Sequence, residues 1–187
     1  AEAQRALGID RPFAGVVFRK GRLDGSLPQT VEVATERPIF VETEIGFITS
    51  VDISYEILND EQARGAVEFA LPVVELPRAY PVPGTLGAMD AVAMNLGADR
   101  YLVGKPTKAE GFDPEAEAVG LTCDGTVLHQ TTGRSVSGGQ WSNLRMVLNE
   151  VTRHGYTIPA GSLILGGALG KIHPGRPGHY EARFGVL

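Results

Sequence analysis

The sequence is poor in cysteine, since Cys123 is the only one among 187 residues. A single thiol excludes an intrachain disulfide framework and a metal site built from several thiolates. Free thiols are also typical of a reducing compartment. We therefore expect a cytoplasmic protein in which Cys123 is a small core residue.

The sequence also lacks a long apolar run and any concentration of basic residues. No segment approaches the roughly 18 apolar residues of a membrane-spanning helix, and the first ten residues lack the apolar centre of a signal peptide. The net charge is −5, and the 17 lysines and arginines are scattered along the chain. Because no basic field is present to collect phosphates, we expect neither nucleic acid nor a membrane as a partner.

The residues that are present fit one globular domain with many turns. Hydrophobic residues make up 43% of the chain, enough for a core, while 24 glycines and 12 prolines punctuate short apolar segments. This pattern favours a strand-rich fold over a helical bundle. Strands are predicted at residues 15–18, 40–48, 101–103, 119–123, 126–130, 162–165 and 180–184. Asp124-Gly125 predicts a type I′ hairpin turn.

Two helices are predicted between these strands. The first covers residues 60–70, with Asn59 or Asp60 as the cap and Pro72 as the stop. The second covers residues 143–154, with Ser142 as the cap and Gly155 as the terminator. Its apolar residues share one face at helical spacing, and they are Leu144, Val147, Leu148 and Val151.

Two carboxylates alternate along the strand predicted at residues 40–48. Side chains of a strand alternate between its faces, so Glu42 and Glu44 point the same way, about 7 Å apart. Like charges at this separation repel, and a hard divalent cation such as Mg²⁺ or Mn²⁺ removes the repulsion by accepting oxygen ligands. The alternative is two solvated glutamates on an exposed strand face.

Glu75 is a third carboxylate that ends an apolar run at residues 69–75. An ionised carboxylate in apolar surroundings is costly unless a cation or a hydrogen-bond donor compensates its charge. Three acidic ligands from two elements would leave open positions for water and substrate. The alternative is that Glu75 emerges into solvent before Pro77 and Pro81.

Several motifs, in order, resemble one family. Glu42-Thr43-Glu44 followed by LPVVE at residues 71–75 is similar to the E-x-E motif and distal acid that hold the metal in the fumarylacetoacetate hydrolase superfamily. DAVAMN at 90–95 and GSLILGGALG at 161–170 resemble motifs of its 2-hydroxydienoate (2-keto-4-pentenoate) hydratase and 4-oxalocrotonate decarboxylase branch, and LGIDRP at 7–12 and GVVF at 15–18 resemble segments upstream of the metal site. The resemblance covers nearly the whole chain.

The resemblance implies an α+β fold, a strand-rich mixed β-sheet roll of the fumarylacetoacetate hydrolase C-terminal domain type with two main flanking helices. It implies a single catalytic-type domain over residues 1–187 that lacks an N-terminal segment, with a catalytic lysine, and the last strand of the full-length protein. We also expect a homo-oligomer. The implied site has Glu42, Glu44 and Glu75 on Mg²⁺ or Mn²⁺, Asp90 and Asn95 orienting the substrate or its water, and Leu71, Gly167, Ala168 and Leu169 contacting the substrate.

The implied activity is that of a divalent-metal lyase, a hydratase of 2-hydroxy-2,4-dienoates or their 2-oxo tautomers from aromatic catabolism. Decarboxylation of a 2-oxo-enedioate and carbon–carbon hydrolysis of an acylpyruvate use the same enolate chemistry, so both remain alternatives. The sequence departs from the family pattern at Met94, Gly97, Gln140 and Gly166. A third alternative follows, a catalytically degenerate subunit that serves assembly or ligand binding.

Overall fold

The computed structural model describes residues 13–80 and 87–187. The motif predicted at residues 7–12 lies outside the described residues. The strands are β1 (Arg22–Asp24), β2 (Phe40–Thr49), β3 (Val67–Leu76), β4 (Arg100–Val103), β5 (Thr107–Lys108), β6 (Ala118–Cys123), β7 (Thr126–Thr132), β8 (Leu163–Leu165), β9 (Leu169–Pro174) and β10 (Tyr180–Phe184). The α-helices are α1 (Asp60–Gly65), α2 (Ala88–Ala93) and α3 (Gln140–Arg153), and three short 3₁₀ helices cover Arg19–Gly21, Asn95–Gly97 and Gly133–Ser135.

The strands form a larger mixed sheet and a smaller antiparallel sheet. The predicted strand-rich α+β class is confirmed. The larger sheet has seven strands in the order β1-β4-β3-β2-β8, with β5 also paired to β3 and β9 also paired to β2. Its β1–β4 pair is parallel, whereas β2 and β3 are antiparallel. The smaller sheet has the order β10-β6-β7. Among the described helices, none is long and apolar enough to span a membrane.

The larger sheet is packed on both faces. On one face, Leu144 and Leu148 of α3 are fully buried, and Trp141 packs against Phe47 of β2 with ring centroids 5.2 Å apart. The opposite face carries a second buried cluster formed by Leu71, Val73, Tyr101 and Val103. Because β2 and β3 are buried on both faces, a polar side chain on either strand stands in an apolar setting.

The helix predicted at residues 60–70 is wrong in its second half. Asn59 caps α1 by accepting a hydrogen bond from the backbone N–H of Gln62, as predicted, but the helix ends at Gly65. Val67 then begins β3, because the β-branched and aromatic residues of this ten-residue strand form eight residue pairs with β2. Pro72 does not stop a helix. It lies within β3, between the parts of β3 that pair with β5 and with β4, where its missing N–H is tolerated.

The second helix and two other segments also differ from the prediction. Helix α3 starts at Gln140, three residues earlier than predicted, so that Ser142 lies inside it and Gly139 is its cap, while Gly155 follows its end with φ of +79°. The strand predicted at residues 15–18 is wrong, since this segment has no regular structure. Residues 172–174, for which no strand was predicted, belong to β9, which pairs with β2.

Candidate metal centre

The three glutamates singled out from the sequence come together on one face of the larger sheet. Glu42 of β2 lies directly opposite Glu75 of β3, and Glu44 lies two residues further along β2. Directly opposite residues of an antiparallel pair share a face, so strand alternation and register together bring the three side chains to one point. One carboxylate oxygen from each glutamate lies within 4.8 Å of those from the other two.

Burial disfavours negative charge at this cluster. Glu44 is only 2% exposed, and Glu42 and Glu75 are partly buried. Burial, and then the neighbouring charge of Glu75, raise the pKa of Glu42 to about 8. Burial raises the pKa of Glu75 to about 7 despite a hydrogen bond with Glu44. The pKa of Glu44 is raised well above its usual range by burial first and by both other carboxylates second.

A glycine turn provides the compensating donor. The backbone N–H of Gly167 donates to Glu44 Oε2 at 2.9 Å. The turn is anchored on its other side, where the N–H of Gly166 donates to the carbonyl oxygen of Ile45. Gly167 has φ of +88°, a conformation that favours glycine. The sequence GG between β8 and β9 therefore aims one amide at the carboxylates.

The donor set fits a hard divalent cation. All three carboxylates have a raised pKa, and only Glu44 accepts a hydrogen bond from a backbone amide. The described protein groups therefore do not neutralise the negative charge of the site. Oxygen ligands in this number suit Mg²⁺ or Mn²⁺ and leave further positions for water or a substrate. Without a cation, the cluster must bind protons instead.

The residues expected to contact the substrate differ in their burial and in the face of the sheet that they occupy. Leu71 is fully buried in the apolar floor formed with Val73 and Tyr101. Leu169 is also fully buried, but it packs in the core on the α3 side of the sheet. Ala168, between Gly167 and Leu169, is partly buried. Substrate contact by Leu71, Gly167, Ala168 and Leu169 stays a prediction.

Asp90 and Asn95 are engaged with the backbone. Asp90 Oδ2 accepts from the N–H of Gly87 at 2.9 Å, which closes the first turn of α2. Asn95 holds the segment at residues 13–18, because its Oδ1 accepts from Val16 N at 2.8 Å and its Nδ2 donates to Val16 O at 2.7 Å. Neither residue has a hydrogen bond with the three glutamates within the described part of the chain. Their catalytic roles stay predictions.

Other polar groups near the centre were not found from the sequence. Tyr101 lies directly opposite Glu75 across β3 and β4 and is 5% exposed. On the other face of β2, Thr43 Oγ1 lies 3.1 Å from His129 Nε2, and His129 Nδ1 lies 2.9 Å from His173 Nε2. The alternation of side chains along a strand shows which residues share a face of that strand. It does not show which distant strands pair, and these contacts depend on that pairing.

Two departures from the family pattern are neighbours. A Cβ atom at Gly166 would lie 2.8 Å from the carbonyl oxygen of Ile45 and 3.0 Å from Gln140 Oε1. The Gln140 side chain is fully buried, and its Nε2 donates to Gly133 O at 2.8 Å. The Ile45 backbone and the Gln140 side chain therefore both restrict the space available to a larger residue at 166.

Gly166→Thr is expected to destabilise the protein by about 1–3 kcal/mol, because the added atoms overlap Ile45 and Gln140 in a packed region. Urea unfolding measures the effect. Gly65→Thr is the control, because a Cβ at Gly65 meets nothing within 4 Å. If both substitutions change the free energy of unfolding equally, the steric explanation for Gly166 is wrong.

Comparison with known proteins agrees with this geometry. No protein-family model matches the chain. The chain is 26% identical over 176 residues to the 2-keto-4-pentenoate hydratase of Paraburkholderia xenovorans (strain LB400), covering 94% of this chain and 65% of that protein. The chain thus spans about two thirds of the length of the curated relatives it matches.

Solved structures show the same architecture. The 4-oxalocrotonate decarboxylase from Pseudomonas putida G7, complexed with magnesium and adipate, has a TM-score of 0.84 at 20% identity, over 98% of this chain and 70% of that one. A fumarylacetoacetate hydrolase family protein from Yersinia pestis CO92 has a TM-score of 0.69 at 15% identity, over 100% of this chain and 85% of that one. The chain has the fumarylacetoacetate hydrolase family fold. The resemblance predicted from the sequence, including the hydratase and decarboxylase branch, is confirmed.

Proposed function

We propose that Glu42, Glu44 and Glu75 bind one Mg²⁺ or Mn²⁺ ion, and that the chain is part of a metal-dependent lyase acting on 2-hydroxy-2,4-dienoates or their 2-oxo tautomers. The observation that carries the proposal is the convergence of three carboxylate groups within 4.8 Å on a largely apolar face. The relatives support it, since they include a 2-keto-4-pentenoate hydratase and a decarboxylase complexed with magnesium.

The protein groups around the cluster suit a small 2-oxo acid. A bound divalent cation would supply a Lewis acid that stabilises negative charge developing on a substrate oxygen. Gly167 fixes the position of Glu44 through its amide. Leu71 and Val73 are buried next to the cluster and make its surroundings apolar, which strengthens the interaction of a bound cation with an anionic substrate. Ala168 continues from Gly167 and is proposed to line the same site, whereas Leu169 packs in the core on the α3 side of the sheet and would support the turn from behind.

Tyr101 is proposed to be a hydrogen-bond donor to the substrate. Burial raises the pKa of its phenol, although Arg22 and Arg19 oppose the shift, so the hydroxyl keeps its proton at neutral pH. Its strand position opposite Glu75 puts it next to the proposed metal site. A protonated phenol can donate a hydrogen bond to an oxygen on which charge develops.

Asn95 and Asp90 are proposed to act on substrate placement. Asn95 fixes Val16 through two hydrogen bonds, and the neighbouring Val17 packs against the buried cluster that includes Val73. In this arrangement Asn95 is a positioning residue, acting through the segment that covers the floor. Asp90 stabilises the helix that precedes Asn95 and has the same indirect connection.

Decarboxylation of a 2-oxo-enedioate is the second candidate activity. The structural similarity to a 4-oxalocrotonate decarboxylase favours this activity. Hydration and decarboxylation would both require stabilisation of the negative charge that develops on the substrate enolate. Hydration additionally requires a water aimed at a carbon remote from the metal-bound end, whereas decarboxylation requires mainly the electron sink and one proton donor.

The homo-oligomeric state stays a prediction.

Product analysis separates these activities. The protein is incubated with a 2-hydroxydienoate and, separately, with a 2-oxo-enedioate, with Mg²⁺ or with a chelator, and the products are identified by NMR. We expect turnover of at least one substrate that stops when the metal is removed, and loss of that turnover in Glu44→Gln. Glu68→Gln, an exposed glutamate of β3, is the control and is expected to keep it. Efficient metal-free turnover would contradict the proposed function.

A further inference from the structure

The turn between β8 and β9 crosses an interruption in the larger sheet. The pairing of β8 with β2 ends at Leu165, and the pairing of β9 with β2 begins at Leu169. Residues 166–168 lie opposite Glu44 and Ile45, three residues against two. An extra residue of this kind interrupts the regular ladder, so the backbone groups of the turn need other partners.

One peptide group of this turn has a hydrogen bond at each end. Its N–H belongs to Gly167 and donates to Glu44 Oε2 at 2.9 Å. Its C=O belongs to Gly166 and accepts a hydrogen bond from Asn143 Nδ2 of α3. The C=O and N–H of a trans peptide group point in opposite directions. This group therefore connects the carboxylate cluster with α3, which packs on the other face of β2.

The backbone that carries Asn143 is fixed at the start of α3. The N–H of Gln140 donates to Glu115 Oε1, and Gln140 Nε2 donates to Gly133 O at 2.8 Å. Leu144, the residue after Asn143, is fully buried in the core between α3 and the sheet. Asn143 lies one turn after Gln140, so its amide is presented to the β8–β9 turn from a rigid position.

The two hydrogen bonds reinforce each other. A donor at the C=O end of a peptide group polarises that group and strengthens the hydrogen bond made by its N–H. Glu44 is only 2% exposed, so water has little access to replace a lost amide donor. Partners that orient a metal ligand without touching the metal contribute substantially to metal affinity.

We infer that Asn143 is a positioning residue for the metal ligand Glu44, and that it acts through the peptide group between Gly166 and Gly167. The inference rests on the proposed metal-centred function and adds to it a residue that is not itself a ligand. Without the Asn143 amide, the Gly166 carbonyl loses its donor and the turn loses its anchor on α3. The Gly167 amide then no longer holds Glu44 in one orientation.

Asn143→Ala is expected to weaken Mn²⁺ binding about tenfold, the lower end of the range for loss of an outer-shell partner. Calorimetric titration of the chelator-treated protein at pH 8 measures the effect. Asn143→Asp is the second variant. It keeps the size of the side chain and replaces the amide donor by an acceptor, so it should also weaken binding, although its negative charge alone would attract the cation.

Asn149→Ala is the matched control. Asn149 is in the same helix, is also half-buried, and also donates through its amide to a backbone carbonyl oxygen, that of Ile57 at 2.9 Å. This contact joins α3 to the segment that precedes α1 and not to the β8–β9 turn. Asn149→Ala should therefore bind Mn²⁺ within about twofold of the native protein.

The amide proton of Gly167 provides a second measurement. In the Mg²⁺-loaded protein, NMR should show a Gly167 N–H whose exchange with solvent is slowed by its hydrogen bond to Glu44. Asn143→Ala should shift this resonance and speed its exchange, whereas Asn149→Ala should change neither. A purely structural role of Asn143 would instead speed exchange across the whole domain, with no specific effect at Gly167.

The outcomes separate the inference from the proposed function. If Asn143→Ala and Asn143→Asp bind Mn²⁺ as tightly as the native protein, the positioning role is wrong and the metal centre stands. If Asn149→Ala weakens binding as much as Asn143→Ala, the loss is a general effect of a damaged helix and the positioning role is again wrong. If the native protein binds no Mn²⁺, the proposed function fails and the inference fails with it.

Discussion

Saturating Mg²⁺ or Mn²⁺ is expected to raise the Tm of the protein by several degrees more at pH 8 than at pH 5. The pKa of Glu42 is raised to about 8 and that of Glu75 to about 7, from an ordinary value of 4.5. Between pH 4.5 and 8 the unfolded chain has lost protons that the folded, metal-free chain retains. Stability of the metal-free protein therefore falls as pH rises through this window.

The size of this effect follows from proton linkage. Each carboxyl group that is protonated only in the folded state lowers the free energy of unfolding by about 1.4 kcal/mol per pH unit. For a domain of this size, about 1 kcal/mol corresponds to about 2–4 °C in Tm. A cation replaces the protons at high pH and restores the lost stability.

Measuring the Tm from pH 6.5 to 8, with a chelator and with metal, separates the contribution of Glu42 and Glu75 from that of the histidines. Burial lowers the pKa of both His129 and His173, so their contribution to stability is lost only as pH falls below about 6.5. Glu42→Gln, Glu75→Gln should flatten the metal-free profile, and Glu68→Gln should not. Equal metal-induced shifts at pH 5 and pH 8 would contradict the assigned titration.

The sequence predicted all three glutamates of the candidate metal centre, but local patterns alone did not show that they converge. The alternation of Glu42 and Glu44 along β2 requires only that residues 40–48 form a strand, and they do. Glu75 was suspected because an acid ends an apolar run. Its position opposite Glu42 depends on pairing between β2 and β3, which the sequence does not show locally.

The errors arose where tertiary pairing overrides local preference. Residues 66–70 continue an acceptable helical pattern from α1, yet pairing with β2 extends β3 back to Val67. The segment at 15–18 has the composition of a strand, but Val16 forms its hydrogen bonds with the Asn95 side chain. Contacts between such distant residues have no signature in one sequence.

The interaction between Gln140 and Gly166 illustrates a different limit. Each departs from the family pattern, and taken separately they suggested lost function. The structure places them in contact, where the side chain of Gln140 lies where a larger residue at 166 would clash. Whether two residues share packing space is a property of the three-dimensional structure, and motif matching treats the two departures as independent.

Glu44→Gln is expected to weaken binding of Mn²⁺ by at least about 100-fold, since removal of even an outer-shell partner costs about 10–100-fold. Glu44 is the most buried of the three carboxylates and accepts the Gly167 amide. Its loss removes a ligand and a negative charge from a site with low local dielectric. Glu42→Gln and Glu75→Gln are expected to weaken binding in the same direction.

Calorimetric titration of Mn²⁺ into the chelator-treated protein at pH 8 tests the central claim most directly. The account predicts one ion per chain for the native protein and for Glu68→Gln, whose side chain is exposed on the same strand as Glu75 and pairs with Lys108. It predicts affinity lower by at least about 100-fold for Glu44→Gln. Equal affinity in the native protein and in Glu44→Gln would contradict a metal centre at Glu42, Glu44 and Glu75.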